Sequence, residues 1–241
     1  MRSQGLGDGE VGSSLLRLAT HHGLSEAQIE QLATILRSLA GDQLAPTSVR
    51  EPAHAVDVHI ADSLAALELK LVREAVQVAD IGAGAGFPGL PLAAALPHSN
   101  VKLVESQARK CAFIERVAVD ARIKNAKAIC VRAEEWPEGL GAHDVVLARA
   151  VAPQPIVLEY AAPLLRLGGG LVDWRGRRDL DEESAALRAA DALGLERKQV
   201  RRVEPFEGVR DHHLHVFLKV GATPDRFPRR AGVARKRPLA R

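Results

Sequence analysis

The stretch Asp80-Ile81-Gly82-Ala83-Gly84-Ala85-Gly86-Phe87-Pro88-Gly89 decides the fold. Before it, residues 76–81 (VQVADI) form a short apolar run that reads as a strand. After it, residues 90–96 read as a helix, and Pro88 suits a helix start. Strand, glycine-rich turn and helix make the setting of a nucleotide-type loop, where missing Cβ atoms let the backbone approach a ligand. Two spacings overlap here. Gly84, Gly86 and Gly89 satisfy the dinucleotide form G-x-G-x-x-G. Asp80 with Gly82, Gly84 and Gly86 satisfies an acidic form, D-x-G-x-G-x-G. An acid at that place repels a pyrophosphate and suits an ammonium, such as that of a methionine moiety. The loop by itself leaves both ligands open; a turn that merely needed small residues fits this context least.

Further along, residues 101–104 read as a second strand ending at Glu105. That acid lies about twenty residues past the loop, where a carboxylate accepts ribose hydroxyls, and both ligand classes carry such a ribose. A helix is expected over 108–121 and a strand over 128–131. Ala133-Glu134-Glu135 follows, able to set a backbone amide and an acid beside an adenine, though by itself it is an ordinary helix cap. Residues 144–147 give a fourth strand, leading to Arg149 at the carboxyl side, where open α/β sheets bind ligands. A helix over 155–165 is closed by Gly168-Gly169-Gly170. Strand 171–174, helix 180–193 with Gly194 as its stop, and strand 200–203 follow. Residues 213–218 alternate polar and apolar, as a half-exposed edge strand does. Short strands alternating with helices imply an α/β fold with a parallel sheet covered on both faces.

Upstream, residues 1–12 are polar, glycine-rich and expected to be loose, with helical periodicity from Ser13. Ser25 and Gln28 form a capping box for a second helix, whose apolar face carries Ile29, Leu32, Ile35, Leu36 and Leu39 and which stops at Gly41. A third helix is expected over 55–71. The division is therefore a helical segment, 1–72, packed on a core, 73–220, with a basic tail, 221–241, in one structural domain.

Hydrophobic residues make up 46% of the 241, enough for an ordinary core, whereas 3% aromatics argue against base-stacking platforms. The two cysteines, Cys111 and Cys130, build neither a zinc site nor a disulfide framework, and no metal is expected. Neither a membrane span nor a signal peptide is visible, which predicts a cytoplasmic protein. The formal charge is only +3. Beyond Thr223, however, the chain carries Arg226, Arg229, Arg230, Arg235, Lys236, Arg237 and Arg241 against Asp225 alone. Such a concentration points to a polyanionic partner, because neutralised phosphates release counterions.

Several separate stretches resemble the glucose-inhibited division protein B family, bacterial 16S rRNA guanine-N7 methyltransferases. They are His59-Ile60-Ala61-Asp62-Ser63-Leu64; the extended loop DIGAGAGFPGLPL from Asp80; Val104-Glu105-Ser106 with Arg109, Lys110 and Phe113; Arg132-Ala133-Glu134-Glu135; Ala148-Arg149-Ala150-Val151-Ala152; and the basic terminus from Thr223-Pro224 to Pro238-Leu239. The match spans roughly residues 15–239. The resemblance implies a Rossmann-like class I fold with an N-terminal helical extension, a mostly parallel sheet of about seven strands, and S-adenosyl-L-methionine as cofactor. It implies cofactor contacts at Gly82, Phe87, Ala133, Glu134 and Arg149, joining Asp80, Gly84, Gly86 and Glu105 from the loop reading. His59, Asp62 and Ser63, otherwise an ordinary helix-surface group, are placed with Arg149 at the active site. The partner implied is 16S rRNA, in the small ribosomal subunit or an assembly intermediate; a monomer is expected because no self-pairing surface is evident in the sequence. Arg175, His212 and the tail's Arg226, Arg229, Arg230, Arg235, Lys236 and Arg237 are expected to face RNA. Arg175 stands where the family often has Lys, and His212 where it often has Arg. Guanine N7 has a free lone pair and no proton, so neither a general base nor a covalent intermediate is expected, only positioning.

Overall fold

The computed structural model describes residues 9–43, 45–49 and 51–240. Its centre is a seven-stranded sheet in the order β3-β2-β1-β4-β5-β7-β6. The strands are β1 (Gln77–Ile81), β2 (Asn100–Val104), β3 (Ala126–Ile129), β4 (His143–Arg149), β5 (Leu165–Arg175), β6 (Leu195–Val203) and β7 (His212–Lys219). The first five pair in parallel, and β7 runs antiparallel between β5 and β6. The order reverses between β1 and β4, which opens a crevice at their carboxyl ends.

Two apolar clusters cover the two faces. One joins α1 (Gly9–His22), α2 (Glu26–Gly41), α6 (Gly89–Ala95) and α7 (Ala108–Asp120) to the sheet through side chains such as Leu15, Ile35, Leu90 and Ile114. The other lies under α8 (Gln154–Ala161), α9 (Leu180–Ala192) and the short α10 (Val233–Lys236), with Val157, Ala186 and Ala234. The helical start therefore shares a core with the sheet. Gln28 ties the two together. Its Oε1 accepts Ser25 N at 2.8 Å in the capping box, and its Nε2 donates to Ala94 O and Ala95 O at 3.0 and 3.1 Å, at the end of α6.

Several elements differ from expectation. The first helix starts at Gly9, not near Ser13; residues 1–8 of the stretch expected to be loose lie outside the described residues. The third helix is not one regular α-helix. It passes from α3 (Pro52–Ala55) through a π-helix (Val56–Ala61) into α4 (Asp62–Leu64) and a 3-10 turn (Ala65–Glu68). It breaks at Leu69, which is extended at ψ 119°, before α5 (Lys70–Arg73). Gly168, Gly169 and Gly170 do not close a helix; they lie inside β5. A Cβ on Gly169 would sit 2.8 Å from the carbonyls of His143 and Asp144, so the glycine permits close approach to β4, where the register shifts.

β7 is not an edge strand. Its alternation suggested one exposed face, but Leu214, His215, Val216 and Phe217 are all buried between β5 and β6. The edge is β6, longer than expected and laden with Arg197, Lys198, Arg201 and Arg202, charges that discourage pairing with a further strand. The basic end does not trail away. Phe227 and Ala234 are buried, and Arg229 grips both oxygens of buried Glu159 on α8. Arg241 lies outside the described residues. No helix among the described residues is long and apolar enough to cross a membrane.

Replacing Gln28 with Ala removes the side-chain half of the capping box and both links to α6, while Ser25 still caps the helix. The expected result is a loss of about 1–2 kcal/mol in urea unfolding, whereas an unchanged midpoint would show that apolar packing alone docks α2.

Candidate active site

The glycine loop leaves β1 under tight control. Gly82 N and Ala83 N both donate to Val104 O, at 2.8 and 3.2 Å, so the loop is tied to the end of β2. Gly82 has φ +66°, and a Cβ there would also come within 3.0 Å of Val151. Gly89 is needed for a different reason. Its N–H donates to Asp80 Oδ2 at 2.8 Å, and a Cβ would lie 2.7 Å from that oxygen. Asp80 thus anchors the start of α6 with one oxygen, while its other oxygen is buried without a hydrogen-bond partner. Burial pushes its carboxyl up to about 7, against the pull of Gly89 N–H and the Arg149 charge.

Beside the loop, Glu105 Oε2 accepts Gly84 N at 3.1 Å, and Oε1 accepts Gln107 N at 2.9 Å. Glu105, Gly82, Ala133 and Glu134 line one cavity of about 120 Å³ at the carboxyl ends of β1, β2 and β3. Larger hollows exist, of about 820 Å³ against α1 and about 550 Å³ beside α8 and α9, but both lie away from the glycine loop. The smaller cavity is the one that chemistry favours, since it alone of the three is lined by the loop. A cavity bordered by Gly82, with Glu105 just past the end of β2, suits an adenosine, and the unpartnered Asp80 oxygen at the end of β1 suits an ammonium group.

The second half of the site gathers around Asp62, which is 4% exposed. Its Oδ2 accepts Arg149 Nη1 at 2.7 Å, and its Oδ1 meets His212 Nδ1 at 3.1 Å. Arg149 Nη1 also donates to Val58 O at 3.0 Å, and Trp174 Nε1 donates to Asp62 O at 3.0 Å. The Phe87 ring stacks on the His59 ring, with centroids 4.4 Å apart and planes within 10°, and the Arg149 guanidinium lies 5.7 Å from its centroid. Burial, then the Arg149 charge, pulls His59 down to about 4, so its imidazole is neutral at ordinary pH. Its Nε2 meets Thr47 Oγ1 at 3.0 Å, and its Nδ1 is buried without a partner. Ser63 is fully buried, and its hydroxyl donates to His59 O within the helix.

The fold therefore brings Asp62, Arg149, Phe87 and His59 together, with Gly82, Glu105, Ala133 and Glu134 alongside. It turns Ser63 away. The residues expected to face RNA divide. Arg175 is half-buried, donates to Ala152 O at 3.0 Å and pairs with Glu182. Arg229 pairs with Glu159, and His212 turns its Nδ1 towards Asp62. Arg226, which lies against the Phe227 ring, is exposed, as are Arg230, Arg235, Lys236 and Arg237. Sequence reasoning missed Arg177 and Arg210, exposed arginines on adjoining loops at the same sheet edge, where His213 Nδ1 reaches Gly176 O at 3.0 Å. It also missed Tyr160 and Val151 as cavity walls. Ala150, at φ +56°, is a strained residue that turns the chain so that Val151 meets Gly82. Cys111 is buried, its Sγ donates to Glu105 O at 3.2 Å, and burial pushes its thiol up to about 12, which removes it as a nucleophile.

Fold and crevice together define a Rossmann-like class I methyltransferase architecture. Solved structures sharing it include an Aeropyrum pernix fibrillarin in complex with S-adenosyl-L-methionine, with TM-score 0.51 and 22% identity over 66% of this chain and 73% of that one. A SAM dependent methyltransferase from Aquifex aeolicus gives TM-score 0.54 and 16% identity, covering 70% and 94%. The chain belongs to the GidB family, described as rRNA small subunit methyltransferase G, whose model matches residues 25–212. Relatives named ribosomal RNA small subunit methyltransferase G include one from Desulfitobacterium hafniense, 35% identical over 95% of this chain and 97% of its own length. One from Roseiflexus castenholzii is 38% identical over 93% and 98%.

Asp80 also sets a pH dependence. Its carboxyl titrates near 7 when folded and near 3.8 otherwise, so its contribution to stability is present below the ordinary value and lost as pH rises through about 7. Asp173, buried and likewise raised to about 7, acts with the same sign. Asp80→Asn should therefore give a flatter decline of the urea midpoint between about pH 5 and about pH 8 than the native chain. Parallel profiles would show that Asp80 does not titrate in that window.

Proposed function

We propose that this protein transfers a methyl group from S-adenosyl-L-methionine to N7 of a guanine in 16S rRNA, acting as a monomer in the cytoplasm on the small ribosomal subunit or its precursor. Membership of the GidB family across residues 25–212 is the observation that carries the reading. The bound cofactor supplies an electrophilic methyl on a sulfonium. The chain's own residues hold and orient. Gly82, Gly84 and Gly86 admit the cofactor to the backbone, Glu105 offers its carboxylate to a ribose, and Asp80 offers its free oxygen to an ammonium. Ala133 and Glu134 wall the adenosine end. Phe87, buried between the His59 ring and Arg149, steadies the far end of the glycine loop.

The chemistry of the site supports this assignment. Guanine N7 needs no deprotonation, and neither His59 nor Cys111 is set up to take a proton: burial and the Arg149 charge pull His59 down to about 4, and burial holds Cys111 as a thiol. What remains is positioning, which can supply much of the rate. The Asp62–Arg149 pair fixes the helical segment against the end of β4 for that purpose. Arg230, Lys236, Arg237, Arg177 and Arg210 offer exposed charge to RNA phosphates around the same edge.

The test is transfer of labelled methyl groups to small ribosomal subunits from a strain lacking this gene, with mapping of the modified base. Label on a 16S guanine N7 is expected, and absence of transfer to both subunits and naked rRNA would overturn the reading. Arg149→Ala should lower kcat by about 100-fold through misplacement, while retaining the salt dependence of RNA binding; a variant as active as the native protein would remove Arg149 from the site.

A further inference from the structure

The C-terminal segment forms one wall of the cavity at the glycine loop. Arg235 lines that cavity with Gly82, Glu105 and Glu134. Three contacts hold the segment there. Gly232 N donates to Glu134 Oε1 at 3.2 Å, Arg235 Nη2 donates to Val151 O at 3.1 Å, and Arg229 grips Glu159 from beneath while also donating to Arg237 O at 2.9 Å. Tyr160 shares the cavity wall with Arg235. Val151 is the residue that closes over Gly82. One arginine of the segment thus holds the residue that packs on the glycine loop, and one backbone amide holds an acid of the adenosine end.

The cavity measures about 120 Å³, well under the ~300 Å³ or more of ordinary ligand pockets. An occupant of so small a cavity lies against Arg235 as well as Gly82 and Glu105. We infer that the C-terminal segment is part of the cofactor site, with Arg235 as a cofactor-positioning residue, so that cofactor occupancy and seating of the segment favour each other. The inference rests on reading this cavity as the S-adenosyl-L-methionine site. It gives part of the basic end a role distinct from holding RNA, and by linkage any ligand that contacts the seated wall stabilises it.

The experiment uses S-adenosylhomocysteine as probe and needs no turnover. Its affinity is measured by calorimetry on the native chain, Arg235→Ala and Lys236→Ala, and trypsin cleavage after Arg230 is timed with and without it. The native chain should bind, and binding should slow cleavage. Arg235→Ala should weaken binding by roughly ten-fold, the scale of one lost charged contact. Lys236→Ala removes the same net charge one residue on and should bind as the native chain does. Equal affinity in Arg235→Ala, or cleavage no slower with the probe bound, would overturn the inference while leaving the cofactor assignment standing. A native chain that does not bind the probe would overturn the cofactor assignment and this inference with it.

Discussion

The Asp62 carboxylate is the point on which the site depends. A polar group 4% exposed is costly to bury unless hydrogen-bonded. Its partners come from different places in the chain: Arg149 from the end of β4 and His212 from the start of β7, while Trp174 from β5 holds its backbone carbonyl. Apolar packing between the helical start and the sheet would tolerate some sliding, because hydrophobic contact is not directional. The Asp62 contacts are directional, and removing one member of a buried pair costs about 3–5 kcal/mol. They fix where the π-helix (Val56–Ala61) lies over the carboxyl edge of the sheet. They thereby fix His59 against Phe87, and through Phe87 the far end of the glycine loop.

The same principle reorganises the basic end. Seven basic residues after Thr223 suggest a free arm. Burial of Phe227 places Arg229 against Glu159, an acid 2% exposed that demands a counter-charge. Once that pair is made, exposed Arg235 reaches the cavity wall, while Arg230, Lys236 and Arg237 also keep their charge in solvent. Positive charge in this segment is therefore of two kinds: Arg229 neutralised against a buried acid, and the others exposed. Net charge cannot separate them, because the partner of Arg229 lies seventy residues away in α8.

How far the sequence could be read follows from the range of the forces involved. The glycine loop, Glu105 and the first four strands were legible because each depends on local chemistry: φ-permissive glycines, short apolar runs and an acid at a strand end. The capping box at Ser25 and Gln28 was legible for the same reason. The π-helix was not, since an inserted residue keeps the apolar pattern of 55–71 roughly intact. Gly168, Gly169 and Gly170 look like a helix stop, and only the close approach of β4 makes them strand residues. His215 gave β7 the look of an exposed face, yet both its ring nitrogens are buried without partners, and burial pulls its pKa down to about 4. That histidine is tolerated because it is neutral, and neutrality in a core leaves no mark on the pattern. Ser63 stands in a motif with His59 and Asp62, but the helix winding turns it inward, which spacing alone does not reveal.

The atoms left without partners show what the site is built to do. Among the described residues, Asp80 Oδ1 and His59 Nδ1 are two of the buried polar side-chain atoms with no hydrogen bond. Such atoms cost roughly 1–3 kcal/mol each, and both belong to side chains beside or beneath the glycine loop. Neither is arranged for proton transfer. His59 is stacked flat on Phe87 and held neutral, and Asp80 lies under the loop with one oxygen fixed on α6. Asp80 Oδ1 is a buried acceptor beside the glycine loop, and a donor brought to it would recover the cost of its burial. Binding and folding are coupled at that atom, which favours a site whose work is to hold and orient over one whose work is acid–base chemistry.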